Sequence, residues 1–443
     1  MVARETSGDP RGGFLCDEMG LGKTVQLIET MRRNALGHTL VVVPKSIVAQ
    51  WTSELDRFAP ELAIHVFDGP DRTIPPSDFA GVAIAPYSVV ENLENTRWDR
   101  IILDEGHEIR NPKSKRYKHI SNIDASVRWV VSGTPIFNSM RDFIALCGFV
   151  GISKGTVMRD YEAIRAKYVL RRTKDMVIPA GQSPLSFENL ELEMYPEEHS
   201  LYEEAYLAGQ GFIREHRGRP INAMEILECL LRIRQVMVWP QLYLDGMAVK
   251  NDIEPETYTG RSKKHEMLLK LIRDHPEEKA LVFTQFTGET DRIQAMLVHH
   301  DFPVFRLDGN VDSAERVVRI EAFRKAESNA VFLIQIRAGG VGLNLQEASR
   351  VYITAPAWNP ATELQAIGRS HRTGQTRPVV VRKLVYRDVS DEIPSVEESI
   401  VNLQVSKSQV CAEILKDQKL LKQVPGVSSM KLRTIAKIFK TRL

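Results

Sequence analysis

The stretch Gly12-Gly13-Phe14-Leu15-Cys16-Asp17-Glu18-Met19-Gly20-Leu21-Gly22-Lys23-Thr24 decides how the first part of this chain reads. Phe14, Leu15 and Cys16 have the character of a short buried strand, and Gly20 and Gly22 punctuate a tight loop. From Thr24 to Met31 the spacing predicts a helix, with Val25, Leu27, Ile28 and Met31 available for packing. A strand, a glycine-rich turn and a helix opening on Lys-Thr form a phosphate cradle. Backbone N–H groups and the positive helix end face the anion, Lys23 reaches the β- and γ-phosphates, and the Thr24 hydroxyl can ligate Mg²⁺. The general pattern G-x-x-x-x-G-K-[ST] asks for glycine where Asp17 stands. Taken alone, the stretch therefore reads equally well as a chance Gly-rich turn.

Outside this stretch the bulk properties set the class. The chain has 443 residues, enough for two or three domains with large cores. Its 43% hydrophobic and 26% charged fractions are ordinary for a soluble globular protein. A net charge of +2 gives no global basic field, so contacts to nucleic acid have to come from local patches. Cys16, Cys147, Cys229 and Cys411 are scattered without a C-x-x-C pair, which argues against zinc and disulfides and for a reducing, intracellular setting. No apolar run approaches the roughly 20 residues needed to span a bilayer, and Met1 to Gly12 lacks a signal-peptide core. No membrane association is expected.

Short apolar runs alternate with helical patterns through the first part: Leu40–Val43, Val82–Ala85, Ile101–Leu103 and Trp129–Val131. Unbroken apolar strands separated by helices imply a parallel sheet covered on both faces. From about Pro196 to Tyr258 helical patterns such as Ala223 to Val238 dominate. Strand-like runs return at Ala280–Phe283, Val304–Leu307, Val331–Ile334, Val351–Ile353 and Val379–Leu384. The expected organisation is α/β. Lobe 1 covers 1–195, a helical insertion and linker 196–258, lobe 2 259–415, and a basic helical tail 416–443. In that tail Leu432, Ile435, Phe439 and Leu443 share a helical face, with Lys431, Arg433, Lys437, Lys440 and Arg442 beside them. It reads as a packed helix with a solvated basic side, or as a contact to a DNA backbone or partner.

Three further stretches carry chemistry. Asp104-Glu105-Gly106-His107 follows the apolar run Ile101–Leu103, so both acids sit at the carboxyl end of a parallel strand and face the phosphate-loop crevice. There Asp104 would hold Mg²⁺ through water and Glu105 would orient or deprotonate the attacking water. Gln365-Ala366-Ile367-Gly368-Arg369-Ser370-His371-Arg372 is read as one helical face carrying Arg369 and Arg372. An arginine reaching a γ-phosphate is worth roughly 10³–10⁵ in rate; the bland reading is a surface helix with salt-bridged arginines. Ala338-Gly339-Gly340-Val341-Gly342-Leu343-Asn344-Leu345 exposes backbone N–H groups suited to phosphates.

These pieces, in this order, resemble the Swi/Snf family of DNA translocases within superfamily 2 of helicase-like ATPases, and the likeness covers nearly the whole chain. Asp17 to Thr24, D-E-M-G-L-G-K-T, is similar to the family's own phosphate loop, its first Asp included. Val41-Val42-Val43-Pro44-Lys45-Ser46 with Gln50-Trp51 looks like the next motif, and Ala85-Pro86-Tyr87-Ser88 like the one after. Asp104 to His107 resembles the D-E-x-H box with Gly106 in place of the usual Ala. Ser132 to Asn138 and Leu170 to Lys174 are also family-like. In the second lobe the resemblance rests on Phe283–Phe286, Leu307–Gly309, Ala338–Leu345, Trp358–Pro360 and Gln365–Gln375. Gln335 stands where many members carry Ser or Thr.

The resemblance implies two RecA-like lobes with ATP and Mg²⁺ between them, tracking one strand of duplex DNA. It assigns catalysis to Lys23, Asp104, Glu105, Arg369 and Arg372. Nucleotide contacts fall to Asp17, Gly20, Leu21, Gly22, Lys23, Thr24, Gly342 and Gln365, and the metal to Thr24 and Asp104. DNA contacts fall to Lys45, Ser46, Tyr87, Ser88, Asn344, Trp358 and Asn359. Mostly to phosphate, they would be sequence-independent and salt-sensitive. The expected partner is double-stranded DNA, with nucleosomes or other DNA-bound proteins as what it acts upon. A monomer is expected, in the nucleus or a viral replication compartment. The family also carries an adenine-reading glutamine upstream of the loop; no Gln precedes Gly13 here, and Met1 to Glu5 looks like the end of the helix that normally follows it. The competing readings are a DNA-binding module that kept the fold but lost turnover, and an RNA helicase.

Overall fold

In the computed structural model of the chain, the described residues are 1–68, 73–76, 78–94, 96–133, 140–177, 183–216, 223–309, 311–336, 344–372, 374–387, 390 and 392–404. They form two compact units, founded on Met1–Gln182 and on Ser183–Ser408.

The first unit is a sheet of seven strands, β1 (Gly12–Leu15), β2 (His38–Val43), β3 (Ala63–Val66), β4 (Gly81–Pro86), β5 (Arg97–Asp104), β6 (Asp124–Val131) and β7 (Val169–Leu170). Their order is β3-β4-β2-β5-β6-β1-β7 and every pairing is parallel. Strand alternation splits each apolar run between two cores. Leu40, Val42, Ile101, Leu103 and Val130 point to one, and Val41, Val43, Ile102, Trp129 and Val131 to the other. The second core is covered by α2 (Lys23–Arg33) through Leu27, Ile28 and Met31, and by α3 (Val48–Phe58) through Val48, Trp51 and Leu55. Each fully buried Leu or Ile contributes about 1.5–3 kcal/mol. The unit opens with α1 (Val2–Thr6). Its Glu5 is 2% exposed and accepts bonds from Arg100, Trp129 and Asn34. A short helix, α4 (Lys115–Asn122), is capped by the Ser114 hydroxyl.

The second unit holds six parallel strands, β8 (Leu185–Leu192), β9 (Lys279–Thr284), β10 (Val304–Leu307), β11 (Val331–Gln335), β12 (Ala348–Ile353) and β13 (Val379–Tyr386), in the order β10-β11-β9-β12-β13-β8. One face packs on Phe323, Ala366 and Ile367. The other packs on Tyr202, Tyr206, Ile226, Leu230 and Ile233 from the helices Pro196–Glu215 and Ala223–Val238. The helical stretch read as an insertion is thus the cover of one sheet face.

The units divide at 182/183 rather than at 195. The physical reason is β8, which pairs with β13 along all of its length. Its sequence, LSFENLEL, is half polar and mostly exposed, so it carries no strand signal of the buried kind. The two other strands without an apolar run in the sequence, β3 and β7, lie like β8 at the edges of their sheets. Edge strands bury less and need less apolar surface. Residues 405–443, and with them the basic tail, lie outside the described residues; 396–404 are helical. Among the described residues no helix is long and apolar enough to cross a membrane.

Candidate active site

At the end of β1 the chain does not turn at once. Cys16 N bonds to Leu170 O at 2.8 Å and Glu18 N to Arg172 O at 2.9 Å, so residues 16–18 continue beside 170–172 as β1 runs beside β7. Gly20 and Gly22 then take φ of 89° and 68°, a region that costs any other L-residue about 1–2 kcal/mol. Gly22 is the N-cap of α2, and the first turn of that helix holds no acid. An open N-terminus with a net positive end results. Lys23 folds back over the loop, its Nζ donating to Asp17 O at 3.0 Å and to Glu18 O at 3.4 Å. Thr24 is half-buried on the same turn.

The acid box faces this lysine. Asp104 is the last residue of β5 and Glu105 follows in a left-handed conformation, φ 51°. For a non-glycine residue that is a strained backbone, of the kind functional sites hold. Asp104 accepts Glu105 N on Oδ1 at 3.0 Å and the indole Nε1 of Trp51 on Oδ2 at 2.8 Å. The Tyr87 hydroxyl donates to its main-chain oxygen at 2.8 Å. Glu105 Oε2 accepts from Ser132 Oγ at 3.3 Å and lies 3.3 Å from His107 Nδ1.

Electrostatics ties the loop to the box. Burial, and next the charge of Glu105, push the Asp104 carboxyl up to about 6, against the Trp51 hydrogen bond and the Lys23 ammonium. Burial lowers the Lys23 pKa, opposed by Glu105 and Asp104. Burial also works against protonation of His107, but the hydrogen bond and charge of Glu105 outweigh it and its pKa is raised. Lys23, Asp104 and Glu105 therefore form one interacting group of charges. Gly133, at the end of β6, closes the cradle: a Cβ there would sit 2.4 Å from Lys23 Nζ.

This donor set fits a magnesium nucleotide. It offers a helix N-terminus and an ammonium for phosphate oxygens, and the Thr24 hydroxyl and Asp104 carboxylate for the metal. Among the described residues no group of three His, Cys, Asp or Glu side chains could hold a metal ion. Magnesium needs no such cage, since water and phosphate complete its octahedron.

Several predicted site residues have other placements. Asp17, expected to touch nucleotide, is fully buried. Its Oδ1 accepts Arg172 N at 2.9 Å, and its Oδ2 accepts Arg172 Nε at 3.0 Å and Gln26 Nε2 at 3.1 Å. Arg171 Nη1 donates to Cys16 O at 2.7 Å and Lys174 N to Glu18 Oε2 at 2.9 Å. The segment after β7 thus holds the loop from behind, a role the sequence reading did not assign to it. A buried carboxylate at Asp17 requires a cationic partner, and the adjacent pair Arg171-Arg172 was the signal available. Tyr87, expected at DNA, is 5% exposed and spends its hydroxyl on Asp104; Lys45, Ser46 and Ser88 are exposed.

In the second unit the helix Pro360–Ile367 ends before the two arginines, so Arg369 and Arg372 do not share a helical face. Past Gly368 the chain tightens: Arg369 N bonds to Ala366 O and Ser370 N to Ile367 O, and Arg369 O accepts Leu345 N at 2.9 Å. Gln375 fastens the turn through bonds to Gln346 O, Ala348 O and Ser370 O. Arg369 is 8% exposed; Arg372 and Gln365 are half-buried. Asn359 caps the helix by accepting Ala361 N, and the half-buried Trp358 lies under the Arg234 guanidinium, 5.0 Å from its ring centre. Asn344 O accepts Arg324 Nη2 at 2.8 Å. Gly342 and Thr134–Asn138 lie outside the described residues.

Comparison with known proteins matches the chain to two family models. Residues 1–242 match the family described as SNF2-related domain, and 263–374 the helicase conserved C-terminal domain. The chain is 28% identical to the ATP-dependent helicase fft1 of Schizosaccharomyces pombe, over 94% of this chain and 52% of that protein. It is 28% identical to the CHD3-type chromatin-remodeling factor CHR7 of Arabidopsis thaliana, over 91% and 36%. It is also 28% identical to the probable global transactivator of Orgyia pseudotsugata multicapsid polyhedrosis virus, over 90% and 85%. The chain thus spans about half or less of the first two relatives. Among solved structures, the Sulfolobus solfataricus SWI2/SNF2 ATPase core in complex with dsDNA aligns at 26% identity over 94% of this chain and 93% of that one, with a TM-score of 0.42.

Proposed function

The chain belongs to the family in which an SNF2-related domain precedes a helicase conserved C-terminal domain, and from that premise we propose that it is a DNA-dependent ATPase that moves along double-stranded DNA. The observation that carries the reading is the group formed by Lys23, Asp104 and Glu105. A half-buried lysine above an open helix N-terminus faces two strand-end carboxylates that perturb its proton affinity.

The chain's own residues then divide the work. The α2 N-terminus and Lys23 bind and neutralise phosphate oxygens. Thr24 and Asp104 would hold Mg²⁺, which would supply positive charge for the transfer of the terminal phosphoryl group. Glu105 orients the attacking water and takes its proton at Oε2, which accepts a hydrogen bond from Ser132 and lies 3.3 Å from His107 Nδ1. Arg369 and Arg372 are assigned to charge that develops on the phosphoryl oxygens. Lys45, Ser46 and Ser88 are assigned to the phosphodiester backbone, with Asn344, Trp358 and Asn359 in the second unit. The partner is duplex DNA and the task is displacing or remodelling what is bound to it, nucleosomes included, in the nucleus or a viral replication compartment.

The test is ATP turnover with and without duplex DNA. Stimulation by duplex but not by RNA is expected, with turnover lost in Lys23→Ala and Glu105→Gln. Undiminished hydrolysis in both variants would overturn the site. Stimulation by RNA alone would overturn the substrate.

A further inference from the structure

Two buried aromatic side chains converge on Asp104, Trp51 from the helix that follows an exposed polar turn and Tyr87 from the loop after β4. We propose that Trp51 and Tyr87 are positioning residues that report duplex occupancy to the acid box. The inference rests on the assignment of Lys45, Ser46 and Ser88 to the DNA backbone.

The first route starts at the turn Lys45–Ile47 after β2, where Lys45 and Ser46 are exposed. That turn runs without a break into α3. Trp51, in the first turn of α3 and 1% exposed, ends on Asp104 Oδ2 at 2.8 Å. The second route starts after β4. Ser88 is exposed, and the neighbouring Tyr87 ends on Asp104 O at 2.8 Å. β4, β2 and β5 are consecutive in the sheet, which places both loops and the acid box at one sheet end. Each route is a few residues of helix or turn packed in a core, and such elements move as units.

Neither donor performs chemistry. Between them they fix the direction of one carboxylate oxygen and the position of the main chain that carries Glu105. A load on either loop that shifts its donor shifts the box, and with it the affinity for a magnesium nucleotide. Linkage makes the effect reciprocal: a nucleotide changes duplex affinity by the same factor.

The experiment measures the Kd of a non-hydrolysable ATP analogue with Mg²⁺, with and without saturating duplex DNA, in the full chain. Couplings of this sort are typically about 5–150-fold. In Trp51→Phe and in Tyr87→Phe, which keep the ring and remove the N–H or O–H, the ratio of the two Kd values is expected to fall at least about threefold towards one. Duplex affinity measured without nucleotide is expected to stay within about twofold of the parent. Trp98→Phe is the control, because that indole donates to Thr96 instead, and its ratio is expected to match the parent. Each variant stands on its own, so failure of one to fold leaves the other to decide. A parental ratio retained in every folded variant overturns the relay, as does a parent whose nucleotide affinity ignores bound duplex. A parent that binds no duplex overturns the function proposed above instead.

Discussion

Arg172 closes a forked ion pair on Asp17, 155 residues before it in the chain, with Nε 3.2 Å and 3.0 Å from the two carboxylate oxygens. The acid is fully buried while 39% of the arginine side chain stays accessible. Removing the arginine therefore strands a carboxylate in the interior, which is the costly way to break such a pair. Arg172→Ala is expected to lose roughly 2–3 kcal/mol in urea unfolding of the first unit. Adding Asp17→Asn should recover part of that loss, because the stranded charge is gone. Additive losses would show that the pair is not coupled.

Asp104 makes stability depend on pH. Its carboxyl is raised from 3.8 to about 6 in the fold. Between those values the folded chain holds a proton that the unfolded chain has released, so stability falls as pH rises through the window. Above it the penalty is complete. Asp104→Asn removes the charge, and is expected to be more stable than the parent at pH 8 by on the order of 1–3 kcal/mol. The gain should shrink towards pH 4 while turnover is lost throughout. Thermal unfolding in Mg²⁺-free buffer at several pH values checks it; a pH-independent gain would place the effect elsewhere.

Gly106 is fitted to Val130. A Cβ at 106 would lie 2.5 Å from Val130 Cγ1, so an alanine does not fit this neighbour unchanged. Gly106→Ala is expected to cost about 1–3 kcal/mol as an overpacked core. Val130→Ala should suppress that cost in the double variant, as read by thermal unfolding of all three proteins.

Gly133 bears on function rather than on stability. Its added Cβ would meet the tip of Lys23, Nζ at 2.4 Å, and the body of Met19, Cγ at 2.6 Å. The lysine tip can swing aside and the unbranched methionine has to change χ1, so Gly133→Ala should cost no more than about 1–2 kcal/mol of stability. The lysine would then be displaced by the order of 1 Å, which is expected to slow turnover about 10–100-fold. Steady-state hydrolysis at saturating ATP and duplex measures it.

Much of the fold was legible in the chain itself. The central strands declared themselves as runs such as Leu40–Val43 and Ile101–Leu103, because a strand buried on both faces has no polar side to interrupt it. Three of the four edge strands declared nothing: Leu185–Leu192, for one, is half polar, and its place in the second sheet comes from pairing with β13. The arginines Arg369 and Arg372 have helical spacing, yet the helix stops at Ile367: Arg369 N and Ser370 N turn to carbonyls three residues back, and Arg369 O is taken by Leu345 N. Local spacing has no access to that competing bond.

By itself, the sequence determined the phosphate loop, the strand-end acids and the two sheets. These depend on residue type at short spacing, and backbone geometry then fixes the outcome within one strand–turn–helix unit. Only the tertiary structure decided what stands behind them. It turned Asp17 inward onto Arg172, withdrew Tyr87 from the surface and set Trp51 on Asp104. The reason is desolvation: a buried carboxylate or hydroxyl must find its partner wherever the packed chain supplies one, and for Asp104 and Asp17 that partner lies 53 and 155 residues away.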